Sequence, residues 1–561
     1  MPSDALHNPH SDTFDLVIIG AGAAGMAAAA TGSLHGLTVL LLEATDHVGG
    51  TSAISAGSIW VPNTHLAQDD DPEAAARYLD TVVGNWSRAE MRTAFLAQGP
   101  KMVAALQDAG ALDLAPYPYH PDYLSELPGA VTRGRALGAK AFDGRKLGRN
   151  FGLLRAPLPE FTILGGMMVD RTDIGHLLNA IRSIKSFLHA AGLILRHAWD
   201  RLSAPRGRRL VMGNALAGRL LAYLLARGVP IRTGARVSEV LIQNGRATGV
   251  VVDGAQVHAR RGVIVSTGGL SHNARLRDTL FPTPVAEHSA VPPSNAGGGV
   301  ELLLAAGGHL DTAHANAAFW APASVRQRAD GSLAVFPHFV LDRAKPGVIA
   351  VDGTGKRFVD ESTSYQRFVE GMYRAGAIPC HLVCNGAFIR RYGLGVIRPM
   401  TRNLAPWVEE GYLKTGRRIE DIAGAIGADP AVLADSFARN DRYAGEGRDP
   451  EFGRGDSRYA RNLGDPTHSP SPCLGPMGEG PYYALAIHPA DIGTSIGIET
   501  DTEARVLGAD GAPIEGLYAA GNDMASVMGG TYPGPGITIG PAMTFGYVAA
   551  HHAALKKEDE E

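Results

Sequence analysis

Residues 14–43 constrain the fold of this chain more than any other stretch. Leu16 to Ile19 is an apolar run that suits a buried parallel strand. Gly20-Ala21-Gly22-Ala23-Ala24-Gly25 follows at once, and an alanine-rich helical stretch follows that. Gly20 permits the tight turn. Gly22 lets the backbone approach a pyrophosphate, and Gly25 lets the helix pack close to the strand. The helix start at Ala23 and Ala24 offers free N–H groups and a positive dipole end to phosphates. Thr38 to Leu42 reads as the next strand, and Glu43 at its tip can accept from ribose hydroxyls. A bare G-x-G-x-x-G is weak evidence. Strand, glycines, helix, strand and acid in this order predict a Rossmann-type dinucleotide site.

The following residues favour FAD over NAD. Gly49-Gly50-Thr51-Ser52 and then Ser55-Ala56-Gly57-Ser58 are small enough to pass close to a pyrophosphate and a flavin. A simple NAD site needs no such second stretch. Ile231 to Leu241 reads as a strand pair that can carry Val237 to the adenine. Arg261 to Gly269 reads as a strand ending in a Thr267-Gly268-Gly269 turn against the cofactor. Far away in sequence, Gly516 to Asn522 reads as a strand and a turn, bringing Gly521 and Asn522 to the flavin. Thr531-Tyr532-Pro533-Gly534-Pro535-Gly536 follows. The two prolines fix φ and the glycines remove side chains, so a stiff turn should present the Tyr532 hydroxyl and the Gly536 N–H. Ile537 to Ala550 then begins a helix, with Thr538 and Ile539 at its start and Gly540-Pro541 in its first turn. Its N-terminus, aimed at the flavin, would stabilise a reduced anionic ring.

At 561 residues the chain is too long for one compact core. Cofactor signals fall at both ends and none between, so an α/β fold is expected: a Rossmann-like FAD-binding domain split in sequence, 13–275 and 480–550, with an inserted α+β catalytic domain, 276–479. Within the insert, Arg357 to Gly371 reads as a strand end turning into a helix, and Ile419 to Phe437 as two helices broken at Asp429-Pro430. The net charge of −4 carries no basic excess, which argues against a nucleic-acid partner. Cys380, Cys384 and Cys473 suggest a reducing, cytoplasmic setting; with no His or Cys partner at metal spacing, Cys380 and Cys384 read as two half-buried thiols rather than ligands or a redox pair. Residues 1–14 read as a loose arm without a signal-peptide core, and the KKEDEE tail as solvated. Ile174 to Leu202 is a candidate peripheral membrane contact. Leu177, Leu178, Ile181, Ile184, Leu188, Ala191, Leu195 and Trp199 recur at helical spacing, with Arg182, Lys185, His189 and Arg196 for the other face. Packing on the domain is its alternative.

The stretches FDLVIIGAGAAGMAAA, EATDHVGGTSAISAG, HPDYLSELPGA, RFVDESTSYQRFVEGM and GLYAAGNDMASVMGGTYPGPGITIGPAMTFGY carry a resemblance. The chain resembles the 3-ketosteroid Δ1-dehydrogenases, within the flavoprotein superfamily that includes fumarate reductase. The resemblance implies that Tyr532 and the Gly536 N–H hold the substrate's 3-keto oxygen. It implies that Tyr365 is the base removing the α-proton, that Tyr123 supports it by lowering its pKa, and that hydride passes to FAD. Tyr117 and Tyr119 lie close enough in sequence to compete with Tyr123. The implied substrate is a steroid or another bulky cyclic ketone, and the implied partner an external, quinone-like electron acceptor. No histidine stands just before GGTS, so the FAD is expected to be non-covalent. Three departures stand out. Gly530 occupies the place where an arginine is expected, DIGTSIGIETD replaces a more glycine-rich loop, and residues 171–205 are longer than expected. Three other readings share parts of this pattern. A fumarate-type reductase would need arginines such as Arg343 and Arg357. A Δ4-(5α)-dehydrogenase would be expected to carry serine at Gly534. A flavin-bound sensor would not need Tyr532.

Overall fold

The computed structural model describes residues 13–67, 70–339 and 342–555. The expectations for residues 1–12 and for the tail lie outside the described residues.

The apolar run and its glycines fold as their chemistry dictates. Strand Thr13–Ile19 lies parallel between Val39–Leu42 and Ala255–Val265, pairing Leu16 with Val39 and Ile19 with both Leu42 and Val265. Its last four residues are buried, as both faces of a central parallel strand must be. Pro513–Ala519, almost 250 residues further on, pairs parallel with the same Ala255–Val265 strand, Val263 opposite Leu517. The antiparallel strands Val237–Gln243 and Arg246–Val252 complete most of this eight-stranded sheet. Helices Ala23–Leu34 and Ile539–Leu555 cross so closely that a methyl on Gly546 would stand 2.4 Å from the Ala24 carbonyl.

A second, seven-stranded sheet is built around Tyr482–Thr494, which pairs antiparallel with Ala318–Gln327 and with Cys380–Asn385. The helix pair breaks at Asp429-Pro430 as expected, giving Ile419–Ile426 and Pro430–Glu446. Gly427 in the left-handed region ends the first, and the Asp429 side chain caps the second.

Two local expectations change. Cys380 and Cys384 are fully buried rather than half-buried, because both face inward from a central strand. The stretch 174–202 forms two helices, Arg171–Leu178 and Ile184–Arg201. The Ser183 side chain accepts from the Ser186 N–H and starts the second helix afresh.

Candidate active site

The glycines of the first turn divide by what surrounds them. A methyl on Gly20 (φ +99°) would meet the Ser266 carbonyl at 2.4 Å, and one on Gly25 would stand 1.9 Å from the Gly20 oxygen. These two are required by strand–helix packing. A methyl on Gly22 would enter open space at the helix N-terminus. That space is the cradle a pyrophosphate would fill.

Other predicted residues gather around it. The Gly49 N–H donates to the Ala21 carbonyl at 2.8 Å, and the Ala23 N–H to Ser52 Oγ at 3.3 Å. A methyl on Gly50 would stand 3.5 Å from Gly22 Cα, and one on Gly521 3.3 Å from Ala24 Cβ. Glu43 is buried at its strand tip, accepting from the Ala21 N–H at 3.0 Å and from Thr45. Asn295 Nδ2 reaches Thr51 Oγ1 and the Gly268 carbonyl. Asn522 and Thr538 line a cleft between the Gly521 turn and the final helix. Ile539 is the first residue of that helix, Val237 opens its strand half-buried, and Gly57 packs on the Gly213 N–H while Ala56 is exposed.

The sequence reading missed Asp523. Its buried carboxylate accepts from the Gly268 N–H at 3.2 Å, the Gly269 N–H at 3.1 Å and Thr267 Oγ1 at 3.0 Å, and also from the Thr267 N–H. It thereby locks the Thr-Gly-Gly turn to Gly521–Asp523. Burial raises its pKa, against those donors. Nothing in the spacing of Asp523 announced this.

Three distant segments bring tyrosines together. Tyr365 opens helix Tyr365–Ala375, fixed by the Ser364 cap and by Gly376 at the far end. The Tyr123 hydroxyl donates to that of Tyr365 at 3.1 Å. The Tyr532 ring stacks on Tyr123 at 5.5 Å and meets Tyr365 edge-on at 4.8 Å. The loop is tied to the turn by the Tyr123 N–H and the Tyr78 hydroxyl, both donating to the Pro533 carbonyl, at 2.8 and 2.6 Å. Tyr117 instead bonds Ser58 Oγ, and Tyr119 is exposed, so Tyr123 is the loop tyrosine that reaches Tyr365. Gly534 and Gly536 press on the strand Ser58–Trp60: methyl groups there would stand 2.5 Å from the Trp60 indole and 2.3 Å from the Ser58 carbonyl. Gly536 has φ +95°, which favours glycine on its own account. A fourth tyrosine, Tyr459, was not foreseen. Its ring lies 4.6 Å from Tyr123 and its buried hydroxyl has no partner among the described residues.

All four phenols titrate high. Burial pushes Tyr532 up to about 12, and it holds Tyr123, Tyr365 and Tyr459 above the ordinary range. The neighbouring Tyr123 and Tyr532 add to the rise at Tyr365. The expected lowering of Tyr365 by Tyr123 is therefore not present: loss of water around a phenolate is the largest cause of the rise, and Tyr123 acts in the same direction.

The arginines a fumarate-type reductase would need are spent elsewhere. Arg343 is buried and donates to the carbonyls of His338, Glu361 and Thr363. Arg357 is clamped between Glu361 and Asp449, at 2.8 and 2.9 Å, with Arg454 on the same Glu361. Gly530 (φ +76°) has no room for an arginine: a Cβ would meet the Asn316 carbonyl at 2.3 Å. Among the described residues no group of His, Cys, Asp or Glu is placed to hold a metal ion.

Known proteins are similar to this chain over nearly its whole length. An FAD binding domain family matches residues 15–539. The 3-oxosteroid 1-dehydrogenase of Mycobacterium tuberculosis is 35% identical, covering 96% of this chain and 98% of that protein. The 4-oxocyclohex-2-ene-1-carboxylate 5-dehydrogenase of Sinomonas cyclohexanicum is 36% identical, covering 96% and 93%. The crystal structure of 3-ketosteroid Δ1-dehydrogenase from Sterolibacterium denitrificans, in complex with 1,4-androstadiene-3,17-dione, superposes with a TM-score of 0.91 at 35% identity, covering 98% of this chain and all of that one.

Proposed function

Because this chain belongs to the 3-oxosteroid 1-dehydrogenase family of FAD-dependent oxidoreductases, we propose that it removes two hydrogens from the CH–CH bond beside the ketone of a 3-ketosteroid. The observation that carries the reading is the Tyr123–Tyr365 hydroxyl pair packed against Tyr532, at the turn that ends in Gly536.

Removing hydrogen from an unactivated CH–CH bond is hard. A ketone helps if its oxygen is stabilised as charge develops. The Tyr532 O–H and the Gly536 N–H are the donors for that oxygen, and one such donor is typically worth about 3 kcal/mol. Tyr365, in its phenolate form, takes the α-proton onto its oxygen, and Tyr123 hands that oxygen a hydrogen bond at 3.1 Å. Burial of these phenols excludes water and keeps their hydroxyls in place, at the cost of a high pKa. When bound, FAD would supply the acceptor for the second hydrogen, which leaves as hydride. Gly20 to Gly25, Glu43, Gly49 to Ser52, Thr267, Gly268, Gly521, Asn522 and the start of helix Ile539–Leu555 would hold the FAD.

We assign 13–275 and 480–550 to the FAD-binding domain and 276–479 to the catalytic domain, except that strand Tyr482–Thr494 pairs at the centre of the second sheet and so goes with the catalytic domain. The FAD is held without a covalent bond, which flavin release on acid precipitation tests; electrons leave to an external, quinone-like acceptor. The three reduced cysteines suit a cytoplasmic setting. A small oxocyclohexane carboxylate is the second reading, given the second relative, but Arg343, whose charge acts on Tyr459, is committed to backbone carbonyls rather than free for a carboxylate. Turnover with a dye acceptor tests the choice. A 3-ketosteroid should give a product lighter by two hydrogens, and preference for the carboxylate would overturn the assignment.

A further inference from the structure

The turn that presents Tyr532 and Gly536 has little with which to hold itself. Pro533 and Pro535 have no N–H, and Gly534 and Gly536 have no side chain. Its position is set from beneath, by Trp60. The Trp60 N–H donates to the Gly536 carbonyl at 3.1 Å. The indole edge lies 2.5 Å from where a methyl on Gly534 would stand, and the Trp60 carbonyl 2.3 Å from one on Gly540. The indole is fully buried, and Phe95 stacks on it at 6.3 Å.

A carboxylate fixes the indole in turn. Trp60 Nε1–H donates to Asp122 Oδ1 at 2.8 Å. The other Asp122 oxygen accepts from the Val131 N–H at 3.1 Å and from Arg135 at 2.8 Å. Arg135 also donates to Asp70 at 3.0 Å, so two carboxylates share one guanidinium. Asp122 and Arg135 are each 1% exposed. Well-packed apolar side chains often replace such a buried ionic group without loss of stability. What the carboxylate adds is direction: with its other donors fixed, the indole N–H has one place to point. Asp122 also precedes Tyr123, whose N–H donates to the Pro533 carbonyl at 2.8 Å, beside the Tyr78 hydroxyl at 2.6 Å. The tyrosine loop and the turn are therefore located by the same carboxylate.

We propose that Asp122 and Trp60 are positioning residues for the dehydrogenation: the bond between them sets the height and tilt of the turn, so that the Tyr532 O–H and the Gly536 N–H converge on one ketone oxygen. Both act through the turn and neither is a catalytic residue. The inference rests on the reading of Tyr532 and Gly536 as donors to that oxygen. Misplacing such groups by about 1 Å can cost about 100-fold in rate.

The FAD-loaded full chain is mixed anaerobically with 4-androstene-3,17-dione, and flavin bleaching is followed against steroid concentration. Asp122→Ala and Trp60→Phe should each lower the limiting rate about 10- to 100-fold. The steroid concentration giving half that rate should move by less than about threefold, since the loss falls on the step and not on binding. The two changes combined should be no slower than the slower one alone, because both remove the same bond. Either change made in Tyr532→Phe should cost less than it does in the parent, because the donor it positions is already gone. A pair that merely supports the fold would lower the melting temperature and the FAD content without these couplings. Asp122→Ala that reduces its flavin at the parent rate overturns the proposal. So do losses that add across Asp122→Ala and Trp60→Phe, since the acid then acts on Tyr123 without the indole. If neither variant holds FAD, the pair serves the fold and the proposal is overturned as well. Tyr532→Phe at the parent rate is a separate failure, in which the reading of the ketone donors falls and the proposal falls with it. A slow Tyr532→Phe beside a fast Asp122→Ala leaves that reading standing and sinks the proposal alone.

Discussion

Gly22→Ala and Gly25→Ala separate the cofactor's needs from the fold's. Gly22 caps the first helix with φ −78° and ψ −172°, values any residue adopts, and its added methyl meets nothing within 4 Å. Alanine there should cost the FAD-free protein about 1 kcal/mol or less, the usual price of a poorer N-cap. The same methyl occupies the space assigned to the pyrophosphate. Overpacking of about 1–3 kcal/mol corresponds to FAD binding roughly 5- to 150-fold weaker. Gly25→Ala places its methyl 1.9 Å from the Gly20 oxygen and 2.7 Å from Ser266 Oγ. The helix must leave the strand, at about 3 kcal/mol or more, with or without FAD. Thermal unfolding of the FAD-free proteins and FAD titration by fluorescence give both numbers. A Gly22→Ala protein that binds FAD like the parent would refute the placement of the cofactor.

Other outcomes follow from the same geometry. Tyr532→Phe removes one donor to the developing oxyanion and should lower turnover about 100-fold with FAD still bound; loss of FAD instead would point to a packing role. Tyr365→Phe should abolish both flavin reduction and exchange of the substrate's α-hydrogen with solvent, and exchange at the parent rate would move the base elsewhere. Because burial raises the Tyr365 pKa above its ordinary value near 10, the phenolate is scarce at neutral pH. The rate of flavin reduction should therefore climb about tenfold per unit from about pH 6 to about pH 9, and a flat profile across that range would contradict a phenolate base. Arg357→Ala leaves Asp449 uncompensated in the interior and should destabilise by about 3–5 kcal/mol; an activity loss without a change in melting temperature would restore the reductase reading.

The sequence made the cofactor end legible because each step there is local. Glycine spacing, a following helix and an acid at a strand tip are short-range consequences of backbone geometry, and Gly20, Gly25 and Glu43 fall where such rules put them. The meeting of Tyr123, Tyr365 and Tyr532 was expected from resemblance rather than from spacing, since 242 residues separate the first two. Tyr459 and Asp523 carried no local signal, because their surroundings come from other segments. The pKa of Tyr365 was misjudged for a related reason. A hydrogen bond can be guessed from a pair of residues, whereas the loss of water around them depends on the whole packed neighbourhood. The hairpin at 171–202 was half legible: its periodicity was visible, but which face turns outward is set by Asp173, Arg145 and Asp200.

The most direct test is anaerobic mixing of the FAD-loaded protein with 4-androstene-3,17-dione while the flavin absorbance is followed. The account predicts bleaching of the oxidised flavin and formation of 1,4-androstadiene-3,17-dione in equal amount, with both lost in Tyr365→Phe. A flavin that stays oxidised with every 3-ketosteroid offered, yet is bleached by an oxocyclohexane carboxylate, would contradict it.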